Sequence, residues 1–189
     1  MTIMTSGQQA EWTLSEAARL LGERQHRLIY LCEKGVIQPD LQDAEGRGSS
    51  RRFSARNLLE FGVALRLRGL GIPASVIGAV LHVLRGFERA IGKQLSGFKV
   101  PGSLTIAGAP ELRVIIGDDQ RLYFSLGSGK SKAKTFGGVS LQGLVGSADD
   151  PDRFKKPLRG VGKKVAQGEL LAKVEVNVTG IAKDLRLGV

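Results

Sequence analysis

Four consecutive residues, Arg24, Gln25, His26 and Arg27, set hydrogen-bonding side chains side by side. An arginine fork matches guanine O6 and N7, and a glutamine amide matches adenine N6 and N7. Tyr30 adds a phenolic hydroxyl one helical turn later. A second concentration runs from residue 47 to 68, where Arg47, Arg51, Arg52, Arg56, Arg66 and Arg68 share the segment with a single acid, Glu60. Arginine's planar fork suits fixed phosphate and base-edge contacts. The positives past residue 129 are mostly lysines among Gly, Ser and Pro, which more often only solvate a surface. The bland alternative for 24–27 is a solvated helix end, and for Tyr30 a half-buried core residue with its hydroxyl in water.

Other constellations fall short of catalysis. Gly127, Ser128, Gly129, Lys130 and Ser131 look like the end of a phosphate-binding loop, but that motif needs a glycine where Phe124 stands, and no helical pattern follows. Asp118 and Asp119 sit on a turn, with no histidine or third acid placed to complete a site. Cys32 is the one cysteine, so neither an intrachain disulfide nor a thiolate cluster for a metal can form; it reads as a small buried apolar residue. His26 alone is a poor metal ligand. The expectation is a non-enzyme with no catalytic residues, no metal and no cofactor.

The 189 residues suffice for one large domain or two small ones. Apolar residues make up 42%, and no apolar run reaches the roughly 18 residues that suggest a membrane span. Residues 1–11 read as a short disordered lead without the marks of a secretory signal, which points to a cytoplasmic protein with no membrane partner. The net charge of +10 is less informative than it looks. Residues 1–100 and 101–189 each carry 14 Lys+Arg against 9 Asp+Glu, so each half is +5 and the charge is not localised.

The elements that must position the polar residues can be read from periodicity. Thr13 and Glu16 form a capping box, Trp12 stands where a hydrophobic staple would, and Leu14, Ala17, Ala18 and Leu21 make an apolar stripe ended by Gly22. A second helix is predicted over 24–34 with Leu28, Leu31 and Cys32 inward, stopped by Gly35. Residues 39–50 read as a loop or hairpin. A third helix follows from a cap at Ser54 to about 68, on Leu58, Leu59, Phe61 and Leu65. Gly69 and Gly71 break it, and Pro73 suits the first turn of a fourth helix. In that helix Ile77, Val80, Leu81, Leu84, Phe87, Ile91 and Leu95 recur at three- and four-residue steps. The stripe is either packed on its own domain or a seam for a second subunit, with Ile77, Val80, Leu84, Phe87 and Ile91 as the dimerisation residues.

Past residue 101 the pattern changes to strands. Residues 112–116 and 122–126 alternate around a turn at 117–120, which predicts a hairpin. Residues 127–168 read as long loops with short apolar pieces. Leu170, Ala172, Val174, Val176 and Val178 predict one more strand, followed by a short helix capped by Thr179 and running through Leu187. The fold class expected is α+β: an all-α unit over 12–97, with a dimer helix over 73–95, then a small β-rich domain over 101–189 ending in a short helix.

The ordered blocks of the first half resemble the MerR family. Residues 13–22 (TLSEAARLLG) look like that family's first helix, and Leu28, Tyr30, Gly35, Val36, Ile37 and Pro39 match its Leu-x-Tyr…Gly-Leu-Leu-x-Pro run without a gap. Arg51, Arg52, Phe53 and Ser54 resemble the wing's Arg-x-aromatic and helix cap, and residues 65–72 (LRLRGLGI) resemble the turn before the fourth helix. The likeness covers residues 12–85. It departs at 29–32 (IYLC), where the family usually has Arg-Tyr-Tyr-Glu, and in a longer, more acidic loop over 40–50.

The resemblance implies a winged helix-turn-helix, with residues 24–27 entering the major groove of double-stranded DNA and the wing meeting phosphate or the minor groove. The contact set it implies is Thr13, Arg24, Gln25, His26, Arg27, Tyr30, Arg47, Ser50, Arg51 and Arg52. It also implies a homodimer on a two-fold symmetric operator and a contact with RNA polymerase. Residues 101–189 would serve a small-molecule effector of unknown identity, oligomerisation or a partner. The competing reading is an architectural, segregation or DNA-packaging protein carrying the same DNA-binding unit.

Overall fold

The structure is a computed structural model that describes residues 10–41, 51–127, 133–146, 158–165 and 169–187. Helix α1 (Leu14–Leu21) starts at the expected capping box. The Thr13 N–H donates to Glu16 Oε2 at 2.8 Å, and the Glu16 N–H donates to Thr13 Oγ1 at 3.3 Å. Gly22 ends α1 at φ 65°, a left-handed cap that costs glycine little. Helix α2 (Gln25–Glu33) begins only a few residues further on. Beyond it the Val36 and Ile37 N–H groups both donate back to the Leu31 carbonyl, at 2.9 and 3.2 Å, which returns Val36 and Ile37 to the core.

Helix α3 (Ala55–Gly69) begins at Ser54, whose hydroxyl accepts from the Asn57 N–H. Helix α4 (Ala74–Gly92) begins one residue later than its sequence suggests, because Pro73 is the cap and not the first helical residue.

After a short helix α5 (Gly102–Thr105), the chain forms β1 (Glu111–Gly117), β2 (Arg121–Gly127) and β3 (Lys134–Ser140). Helix α6 (Leu141–Val145), β4 (Lys173–Asn177) and α7 (Val178–Asp184) complete the described elements. The sheet is antiparallel throughout, in the order β3-β2-β1-β4. The α+β class and the β1–β2 hairpin are therefore as expected.

Three expectations need correction. The stretch expected to be loop contains β3 and α6. Their signal was masked by Gly137 and Gly138, at φ 111° and 82°. A Cβ on Gly137 would sit 2.7 Å from the Leu122 carbonyl oxygen, where the β2–β3 register shifts, so this bulge requires glycine. The last strand starts at Lys173 and not at 170, because the Asp118 carboxylate accepts the Leu171 and Ala172 N–H groups at 3.2 and 3.0 Å and diverts the backbone. Leu171 is left 92% exposed. The terminal helix is capped by Asn177; Thr179 is buried, accepting from the Leu112 N–H at 2.8 Å and donating to the Pro110 carbonyl.

A single hydrophobic cluster runs from Ala17 to Leu187 and draws on every described helix and strand of both halves. The change of pattern near residue 100 thus separates two kinds of local structure that share one core. The α4 stripe explains how. Ile77, Val80, Leu84, Phe87 and Ile91 are all buried within this chain, Leu84 being the most accessible at 4%. Phe87 lies parallel on Phe124 of β2, with ring centroids 4.6 Å apart, and tilts against Phe136 of β3 at 5.6 Å. A stripe already buried within its own chain leaves no open seam for a second subunit, so the dimerisation assignment of these five residues gives way to intrachain packing. At the other end, α7 reaches α3 at Gly62, where any Cβ would come within 2.6 Å of Ile181.

Two outcomes follow from this packing. Phe87→Ala should cost about 3–5 kcal/mol in denaturant unfolding. Because the core is shared, far-UV circular dichroism and the fluorescence of Trp12, the one tryptophan, should report the same lowered midpoint. Separate midpoints for the two probes would refute a common core. The second outcome concerns Glu175 on β4. Hydrogen bonds from Arg113 (2.5 Å) and then Lys173 hold its carboxyl below the ordinary glutamate value. Such a group contributes stability above its unfolded pKa and loses it as pH falls through its lowered folded pKa. Glu175→Gln should therefore be less stable than the parent at neutral pH, with the difference vanishing in strong acid.

Candidate nucleic-acid interface

Helix α2 presents its first turn to solvent. Arg24, its N-cap, and Gln25, His26 and Arg27 are all exposed, while Leu28 and Leu31 on the opposite face are fully buried. Unlike α1 and α3, this helix has no side-chain cap. The Arg27 N–H turns back to the Arg24 carbonyl at 3.0 Å, and the partial positive charge of the helix end faces outward, an arrangement suited to anionic oxygen. Arg27 is less free than its neighbours: its guanidinium meets both carboxylate oxygens of Glu23, at 2.8 and 2.7 Å, in an exposed pair that costs little to release.

Tyr30, a turn further on, is half-buried and packs on the core. Arg68 from the last turn of α3 lies 4.4 Å from its ring centroid, and Lys34 lies 5.8 Å away. Two cations thus stand against the tyrosine face, with Arg24 on the same helix. Neither Lys34 nor Arg68 belongs to the contact set expected from sequence. Lys34 could have been found from its i,i+4 spacing to Tyr30. Arg68 could not, because only the packing of α3 on α2 brings it there.

Thr13 is placed otherwise than the contact set implied. Its hydroxyl accepts the Glu16 N–H and donates to the Glu16 carboxylate at 2.8 Å, so it is committed to the cap. The cap bonds from Thr13, and more weakly the charge of Arg52, hold the Glu16 carboxyl below its ordinary value. Arg51 and Arg52 are half-exposed and lead into Phe53, whose backbone pairs with that of Trp12 at 2.9 and 3.0 Å. Phe53 itself is buried, edge-on to Phe61 at 5.2 Å, and anchors this return strand. Arg47 and Ser50 lie outside the described residues.

A polar cluster built on a buried asparagine ties residues 38–40 to Ser54. Asn57, fully buried, accepts the Asp40 N–H at 2.8 Å and the Ser54 N–H at 3.3 Å, and donates to the Gln38 carbonyl at 2.9 Å. One side chain thereby holds the backbone of two segments separated in sequence. Ser54 adds a bond from its hydroxyl to the Asp40 carboxylate at 2.8 Å. Asn57 also donates to Glu60, which is 2% exposed and takes a two-pronged contact from Arg85 of α4, at 2.5 and 2.6 Å. Burial pushes the Glu60 carboxyl up, and the Arg85 guanidinium opposes that shift. The same contact raises the Arg85 pKa, so the guanidinium stays charged. Nearby, Glu88 accepts from Arg56 at 2.8 Å and from the Val100 N–H at 3.0 Å. Glu60, read from sequence as one acid among arginines, is thus an interior residue.

The remaining candidate chemistry is spent on structure. Asp118 holds the backbone at 171–172, and Asp119 accepts from the Tyr123 hydroxyl and the Arg121 N–H. Among the described residues no group of three or more His, Cys, Asp or Glu is arranged to hold a metal ion, and no helix is long and apolar enough to cross a membrane. No protein-family model matches this chain, and no curated protein matches it either.

The cluster sets the expected effect of its loss. Asn57→Ala would leave the buried Ser54 N–H without its side-chain partner, at about 1–3 kcal/mol before relaxation, and would release the Asp40 N–H and Gln38 carbonyl of two exposed residues. Glu60→Ala, which leaves the Arg85 guanidinium only Asp40 at 3.8 Å, should cost at most about 3–5 kcal/mol. Both are read by chemical denaturation, and a cost below about 1 kcal/mol for either would show that the cluster does not tie residues 38–40 to Ser54.

Proposed function

We propose that this chain is a sequence-specific double-stranded DNA-binding regulator that reads DNA through a MerR-like winged helix-turn-helix. In this reading α1 and α2 are the helix-turn-helix, α2 is the recognition helix, and Arg51, Arg52 and Phe53 belong to the wing. The observation that carries it is the outward, uncapped first turn of α2 with Arg24, Gln25, His26 and Arg27; Lys34 and Arg68 on the Tyr30 ring add positive charge toward the other end of the same helix. Base edges fall to Gln25 and the arginines, and phosphates to the helix N-terminus, Arg51, Arg52 and Lys34. The order of sequence blocks over 12–85 supports the same assignment.

The regulator acts as a dimer on a two-fold symmetric operator, built from surfaces other than the buried α4 stripe. The sheet half is left for an effector, or for a partner such as RNA polymerase.

In vitro selection of bound DNA with the full-length chain tests the reading, followed by anisotropy titrations over a range of salt. Arg51→Ala with Arg52→Ala should weaken binding to every sequence and flatten the salt dependence, by roughly 0.9 in slope for each phosphate that is no longer neutralised. Gln25→Ala should instead relax preference at one base position, by about 1–3 kcal/mol. A double wing variant that binds like the parent at every salt concentration would remove the wing from the interface. Selected sites that are clustered and weakly specific would favour a packaging role over regulation.

A further inference from the structure

We propose that the opening between the end of α4 and the inner face of the sheet binds a small amphipathic carboxylate. This goes beyond the DNA-reading proposal and does not depend on it. The cavity has a volume of about 350 Å³, within the range of small-molecule sites. Its apolar wall is made by Ile91, Leu95, Leu126 and Phe136, with Lys134 and Lys164 at the mouth.

The position of the two lysines is the unusual feature. In an antiparallel pair, residues directly opposite share a face of the sheet. Lys134 is opposite Leu126, and the next inward pair is Phe136 with Phe124. Lys134 therefore occupies a position on the core-facing side. Lys164 reaches the same side because it bridges to Phe136. Both are nonetheless exposed, so the inner face opens there and each stem can lie along apolar surface while its ammonium stays in water.

Charge decides the kind of ligand. Among the described residues no acid lines the cavity. The nearest acid in sequence to its Pro110 wall, Glu111, is committed to Arg113 at 2.9 Å and to Asn177 at 2.8 Å. The C-terminal end of α4 brings about half a negative charge, but the Ile91 carbonyl is already taken by the Gln94 and Leu95 N–H groups, at 2.8 and 2.7 Å. Two full positive charges outweigh it. An apolar body against Phe136 and Ile91 with an anionic head between the lysines satisfies both halves of the site, whereas a neutral or cationic ligand satisfies only one.

The test uses octanoate on the full-length protein without DNA, by titration calorimetry, with octanol and octylammonium as neutral and cationic controls. Octanoate should bind one to one, and more tightly than either control. Lys134→Gln with Lys164→Gln should weaken it roughly tenfold through loss of charge-assisted bonds, with unchanged circular dichroism and unchanged ligand-free Tm. Leu95→Glu, at a position 48% exposed, removes part of the apolar wall and adds a negative charge, so it should weaken octanol and weaken octanoate by a larger factor. Octanol binding as tightly as octanoate, or an unaffected double-lysine variant, would overturn the proposal. So would binding to anionic phosphatidylglycerol vesicles without any binding of monomeric octanoate.

Discussion

A buried asparagine and a buried ion pair hold the helical half in its arrangement. Asn57 joins the backbone of residues 38–40 to that of Ser54, and Glu60, one turn later on the same helix, is gripped by Arg85 from α4. Neither would survive alone in an apolar interior, since an unpaired amide or carboxylate there is costly. Together they form a cluster in which each named polar atom meets a partner. Such clusters specify geometry more than they add stability, because a hydrophobic replacement of equal shape could be as stable but would not fix where residues 38–40 and Ser54 meet. The position of Arg51 and Arg52, just before Ser54, depends on that placement.

The second constraint is the sharing of one core between the helices and the sheet. Helix α4 has polar bonds to α3 through Arg85 and Glu60 and aromatic contacts to β2 and β3 through Phe87. Its far end then forms a wall of the opening lined by Lys134 and Lys164. A change in the way α4 packs on the sheet would consequently be felt at the residues of that cluster. Well-packed interiors transmit displacement in this manner because they have little free volume to absorb it.

Charge has a different logic here from that suggested by the total. The +10 is spread evenly over the two halves. What distinguishes the α2 face, apart from Arg27 with its exposed partner Glu23, is commitment. Arg56, Arg85 and Arg113 are engaged with acids. Arg68 and Lys34 lie against an aromatic ring, and Arg24 stands exposed at an uncapped helix end. Cations held on an aromatic face keep their charge directed outward at little desolvation cost.

Local grammar determined much of this protein from sequence alone. The caps at Thr13 and Ser54, the stops at Gly22 and Gly35, the four helices of the first half and the β1–β2 hairpin all follow from contacts within a few residues, which a sequence displays directly. So does the candidate set at 24–27, since a helix with Leu28 and Leu31 inward must turn these residues out. What only the tertiary structure decided depends on which surfaces meet. A stripe at heptad-like spacing is the same pattern whether a sheet or another subunit covers it, so what covers Phe87 and Ile91 could not be foreseen. The bulge at Gly137 hid β3, and Asp118 shortened β4, through backbone contacts with distant segments. Glu60 stood in the sequence only as the single acid among arginines until Arg85, 25 residues away, supplied its partner. Long-range pairing assigned these roles, because a side chain's energy in the interior is set by neighbours that the linear order does not name.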